Sequence, residues 1–141
     1  MCPGQCITLT ADQSGGTWSV SPNDGSLTGN QFCPIATQVY TISYTLAACV
    51  INQTINVVTP SVAPTAAVAN PTSLCPGSTG AISVIGGSLG TNAQWVWYAG
   101  GCGVGGVVGV GSTISGTPPT TATYFVRAEG GCATTACASV T

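Results

Sequence analysis

The groups that could do chemistry in this 141-residue chain are few: eight cysteines, three carboxylates (Asp12, Asp24 and Glu129) and one guanidinium, Arg127. There is no histidine and no lysine. General acid–base catalysis draws on His, Lys or paired carboxylates, and that inventory is nearly empty. Serine and threonine are plentiful, but no base exists to activate one in the common hydrolase arrangements. Three scattered acids are a poor start for an oxygen-ligated divalent cation. A single cation cannot track a phosphate backbone, which excludes nucleic acid as a partner. The expectation is therefore no catalytic residue, no metal, no cofactor and no enzyme.

What remains is sulfur. An even number of cysteines, with no histidine beside them, is the pattern of an oxidising compartment. Cys2 with Cys6, and Cys132 with Cys137, have gaps that zinc could use, but neither is a CxxC. Disulfides are the stronger reading. The glycine-rich run Gly100 to Gly111 lacks the Gly-Lys-Ser/Thr ending of a phosphate loop and reads as a Cys-anchored turn into a thin edge strand. Asn52-Gln53-Thr54 matches a glycosylation sequon, a match frequent by chance. No secretory leader is visible and no apolar stretch is long enough to span a bilayer, so the chain reads as a mature piece of an exported protein.

The elements that position these residues come in two copies. Cys2-Pro3-Gly4 recurs as Cys75-Pro76-Gly77. After each follow a β-branched run (Ile7 to Thr10; Ala81 to Ile85), a glycine pair, a Trp segment (Thr17 to Val20; Gln94 to Trp97), a Tyr segment (Val39 to Tyr44; Thr123 to Val126), a cysteine (Cys49; Cys132) and a last β run. Pro60 and Pro64 mark a stiff join. The domains expected are residues 1–59, a linker at 60–64, and residues 65–141. Copy one has no counterpart of the opening run 65–73, so it reads as lacking its first strand, and the whole as a window on a longer array. A neighbouring chain could supply that strand by donation.

Helical periodicity is absent. Tyr40, Ile42, Tyr44 and Leu46 alternate with Thr41, Ser43 and Thr45, and turn residues recur about every ten positions. The fold class expected is all-β: two tandem immunoglobulin-like β-sandwiches of about seven strands each, stapled by disulfides because a module near 70 residues has a marginal core. Parsimony pairs the shared cysteines, Cys2–Cys49 and Cys75–Cys132, leaving Cys6–Cys33 and Cys102–Cys137. Strand order favours the second two, and places the members of each shared pair at opposite ends.

Trp95 and Trp97 share a parity assigned to the core. The opposite parity gathers Tyr98, Phe125, Arg127 and Glu129 on one outer face. That face reads either as a contact surface, for a glycan or a packed neighbour, or as a local Arg–Tyr stack with Arg127 paired to Glu129 across the pleat.

Copy two, with Cys75-Pro76-Gly77, Trp95-Val96-Trp97-Tyr98, Cys102-Gly103, the run from Thr120 to Glu129, Gly131-Cys132 and Thr134 to Val140, resembles the Ig-like or PKD-like repeats of Bacteroidetes surface proteins. These occur in giant adhesins, including gliding-motility adhesins exported by the type IX system. Copy one shares the Cys-Pro-Gly, Trp, Tyr and Cys features only. The resemblance implies an extracellular or cell-surface location and service as an adhesin stalk or filament module. The partners expected are neighbouring modules or chains of the same protein, with a glycan as the alternative. A carbohydrate-binding module and a self-assembling subunit are the rival functions.

Overall fold

The computed structural model describes residues 1–141, and the chain divides into two units, Met1–Thr59 and Pro60–Thr141. Every regular element is a β-strand. Unit one holds β1 (Ile7–Thr8), β2 (Thr17–Ser21), β3 (Leu27–Thr28), β4 (Gln31–Phe32), β5 (Val39–Leu46) and β6 (Cys49–Asn56). They form two sheets, ordered β1-β4-β3 and β2-β5-β6, with every neighbour antiparallel. The alternation in β5 does what a period of two requires: Tyr40, Ile42 and Tyr44 are buried, and the intervening residues are less so. Tyr40 and Ile42 share one core with Val20 of β2, Phe32 of β4 and Val57, so both sheets contribute to it.

Unit two holds β7 (Ala66–Asn70), β8 (Gly80–Ile85), β9 (Ala93–Ala99), β10 (Gly106–Val110), β11 (Thr113–Gly116), β12 (Tyr124–Gly130) and β13 (Ala138–Val140). Its sheets are ordered β11-β8-β7 and β10-β9-β12-β13. Trp95, Trp97, Val126 and Ala128 form the core, with Ile82 and Val84 of β8 and Ala67 of β7 packed against it. Trp97 is fully buried, and its indole N–H donates to the Gly111 carbonyl at 2.9 Å. A buried indole needs such a partner.

The repeat is visible in the pairing. β2-β5-β6 has the order of β9-β12-β13, and β1 beside β4 matches β8 beside β11. Unit two adds β7 on the other side of β8 and β10 on the edge beside β9. Unit one in turn has β3 beside β4, a pairing that β11 lacks, so unit one has six strands where unit two has seven. The glycine-rich run does become an edge strand, paired only with β9 and bulged between Val107 and Gly109.

Within residues 60–64, expected as a linker, Ser61 and Val62 bond to the chain that follows β8. Val62 bridges Ser88 in both directions, and the Gly90 N–H donates to the Ser61 hydroxyl at 2.9 Å. The reason is backbone satisfaction: these residues prolong the path of β7 along the chain that follows β8.

Candidate functional site

Six cysteines are disulfide-bonded. Cys6 precedes β1 and Cys33 follows β4, one step beyond the Ile7–Phe32 pair, so the ladder itself brings them to a Cα separation of 4.2 Å. Cys102, in the glycine-rich loop, bonds Cys137 just before β13, with Cα atoms 5.9 Å apart. Cys2 and Cys132 are also half-cystines. Cys49 and Cys75 are free and exposed.

The pairs Cys2–Cys49 and Cys75–Cys132 expected from repeat symmetry are thus not formed. Met1 is anchored at the end of β6: its ammonium donates to the Asn56 carbonyl at 3.3 Å and its carbonyl accepts from Val58 N–H at 3.0 Å. Cys49 opens the same strand, about 23 Å away at roughly 3.3 Å per residue. Disulfide geometry needs Cα atoms within about 7 Å. In unit two, Leu74 beside Cys75 shares a cavity with Tyr124, the first residue of β12, whereas Cys132 follows the last, Gly130. The two cysteines lie at opposite ends of that strand.

The outer face of β9 and β12 brings its named residues together. Phe125 pairs directly with Tyr98 across the two strands. Arg127 lies over the Tyr98 ring, 5.3 Å from its centroid, and its guanidinium meets Glu129 at 2.6 Å. The Tyr98 hydroxyl donates to the same carboxylate oxygen. Hydrogen bonds from Tyr98 and then Arg127 hold the Glu129 carboxyl below its ordinary value, and the bond to Glu129 pushes the Tyr98 phenol up. Gly103 packs so closely on the guanidinium that a Cβ there would collide with it. The Cys102–Cys137 bridge ties this loop down. The cluster satisfies its own polar groups, and Tyr98 is only 7% exposed, so little of its ring is open to a stacking ligand.

Unit one contains a polar hub that the acid count alone hides. Asp24 accepts from the Ser26 N–H at 3.1 Å, the Gln38 amide at 3.1 Å and the Tyr40 hydroxyl at 2.5 Å. The signal for it is the turn sequence Pro22-Asn23-Asp24-Gly25, in which an aspartate caps its own turn. Bonds from Ser26 and Tyr40 keep the Asp24 carboxyl below its ordinary value. Tyr44 plays a matching part for the loop after β1. Its hydroxyl donates to the Gln13 carbonyl at 2.6 Å and accepts from Gly16 N–H at 2.8 Å. A Cβ on Gly16 would sit 2.5 Å from the Tyr44 ring, so only glycine fits there.

Asp24 and Glu129 both favour their charged forms in the folded chain. Their stabilisation is complete above the ordinary carboxylate value near 4 and is lost as pH falls through the lower native values. The thermal midpoint is expected to hold between pH 7 and 5 and to fall below about pH 4. Asp24→Asn should lower the midpoint at pH 7 and flatten the acid limb. An Asp24→Asn curve parallel to the parent's throughout would contradict this role.

The third feature is a groove in unit one of about 470 Å3. Its floor is the core-side face of β2, β5 and β6, carrying Trp18, Tyr44, Leu46 and Ile51, and its wall is the chain continuing from β1, Thr10 to Gln13. Free Cys49 lines one end. Ile51 is 64% exposed although it faces the same side as buried Tyr44, its register partner.

No protein-family model matches this chain, and no curated protein matches it significantly. No helix in the chain is long and apolar enough to cross a membrane.

Proposed function

We propose that the chain is a non-catalytic structural segment of an extracellular adhesin stalk or surface filament, built of two tandem immunoglobulin-like modules. The single observation that carries this reading is the repeated strand order, β2-β5-β6 and β9-β12-β13, with a local disulfide in each unit. Three further features support it. Disulfides are consistent with an oxidising, exported setting. The few charged groups are largely spent on internal bonds: Asp24 in a turn, and Arg127 with Glu129 beneath a loop. Apolar side chains stand exposed on edge strands, among them Val50 and Ile51 of β6 and Val107 and Val110 of β10, which suits packing against neighbouring modules or chains.

A glycan-binding role for Tyr98, Phe125, Arg127 and Glu129 is the weaker reading, because the Arg–Tyr stack and its ion pair already use that face. The location is tested with a membrane-impermeant maleimide on intact cells that make the protein. Exposed Cys75 should be labelled without lysis. Labelling only after lysis would contradict the extracellular assignment.

A further inference from the structure

The sheet β2-β5-β6 ends on β6, whose outer edge pairs with no strand. That position follows from the sheet order both units share. In unit two β13 is likewise last in its sheet, and the segment ahead of Cys75-Pro76-Gly77 joins β8 in the other sheet. β6 runs for eight residues in unbroken register with β5, without a charged side chain or a proline. No other edge strand exceeds five residues, and β10 is bulged as well. Short strands, bulges, charges and prolines are what keep sheet edges from pairing, and β6 has none of them. The Val57 N–H donates to the Gln38 carbonyl, toward β5, so residues at odd numbers along β6 face β5 and those at even numbers face away. The Asn56 carbonyl and the Val58 N–H meet Met1, which leaves the backbone groups of Val50, Asn52 and Thr54 turned outward.

We infer that β6 is a self-association edge, and that its partner is β6 of a second copy of this chain. The two strands run antiparallel about a two-fold axis at Asn52. Val50 then lies opposite the partner's Thr54, Asn52 opposite the partner's Asn52, and Thr54 opposite the partner's Val50, each pair exchanging both N–H···O bonds. These are the residues whose backbone groups are turned outward, so the register uses every donor and acceptor they offer. A two-fold axis normal to the sheet makes the interface self-complementary and keeps like faces together. On the outer face two β-branched pairs flank an amide pair, in which the Asn52 side chains reach each other. On the core-side face Ile51, 64% exposed, covers the partner's Gln53. No ion has to be desolvated, because β6 carries none. Two three-stranded sheets become one continuous sheet across the axis. This inference rests on the reading of edge strands as packing surfaces and deepens it by naming the strand and its partner. Because it is tested in solution, a monomeric chain that is labelled on intact cells would sink it and leave the extracellular assignment standing.

The test uses the whole 141-residue chain carrying Cys49→Ser and Cys75→Ser, which removes both free thiols. Sedimentation equilibrium should show a reversible monomer–dimer equilibrium. Asn52→Asp sets two carboxylates against each other at the axis and should raise the dissociation constant at least about tenfold. Ser19→Asp, exposed on the opposite edge strand of the same sheet, should leave it unchanged; melting curves check that both variants fold. Register is read by cross-linking in the same background. Ile51→Cys and Gln53→Cys chains, mixed with dissolved oxygen and a copper catalyst as oxidant, should form the mixed disulfide dimer. Directly opposite Cα atoms of such a non-hydrogen-bonded pair lie about 4.5 Å apart. Either variant alone should link more slowly, because its cysteines face each other only on the diagonal, about 7–8 Å apart. A chain that stays monomeric up to its solubility limit, equal effects of the two Asp variants, or faster linking within one variant than between the two would each overturn the inference.

Discussion

In excess reductant the thermal midpoint of this chain is expected to fall by roughly 15–25 °C. The size follows from what the bridges close. Cys6 and Cys33 are 27 residues apart and Cys102 and Cys137 are 35 apart. By loop-closure entropy these are worth roughly 3.5 and 4 kcal/mol. A unit the length of Met1–Thr59 has a total stability of only about 3–9 kcal/mol. The bridge is therefore comparable with everything else that holds the unit together. Cys6→Ser with Cys33→Ser should reproduce the loss for unit one alone. A melting curve indifferent to reductant would mean that the cores suffice and that the staple reading is wrong.

The second large effect is expected from Trp97→Ala. This side chain has no exposed surface and bonds the Gly111 carbonyl. Removing it leaves a cavity among Val126, Ala128 and Ile82 and an orphaned carbonyl at the turn before β11. Large-to-small changes of this kind cost about 3–5 kcal/mol. The cooperative transition of unit two should then occur close to or below 37 °C. Val107→Ala, at 58% exposure on the edge strand, should change stability by less than about 0.5 kcal/mol. Chemical denaturation followed by Trp emission checks both. Equal costs at the two positions would show that Trp97 does not anchor the core.

Much of this could be read from residue order because period-two alternation and turn chemistry are local. The β5 face of Tyr40, Ile42 and Tyr44, the core assignment of Trp95 and Trp97, and the edge strand after Cys102 all follow from near neighbours in sequence. The pairings Cys6–Cys33 and Cys102–Cys137 were legible because strand order alone puts their members at one end. Other features depended on distances that no spacing encodes. Repeat symmetry matched Cys2 with Cys49, but the length of β6 separates them. Asp24 looked like one more scattered acid, because its donor Tyr40 arrives from a strand 16 residues away. The Gly103 loop over Arg127 was equally hidden, since the contact needs a bridge to Cys137 across an intervening strand.

The most direct test of the whole account is a thiol count on the purified chain. Unfolded in guanidinium with excess maleimide and no reductant, it should gain two adducts, mapped to Cys49 and Cys75, and eight after reduction. Peptides joined through Cys6–Cys33 and Cys102–Cys137 should appear in the unreduced digest. Eight adducts before reduction would show a chain that holds its shape without sulfur cross-links, and the stapled structural segment would not be what this protein is.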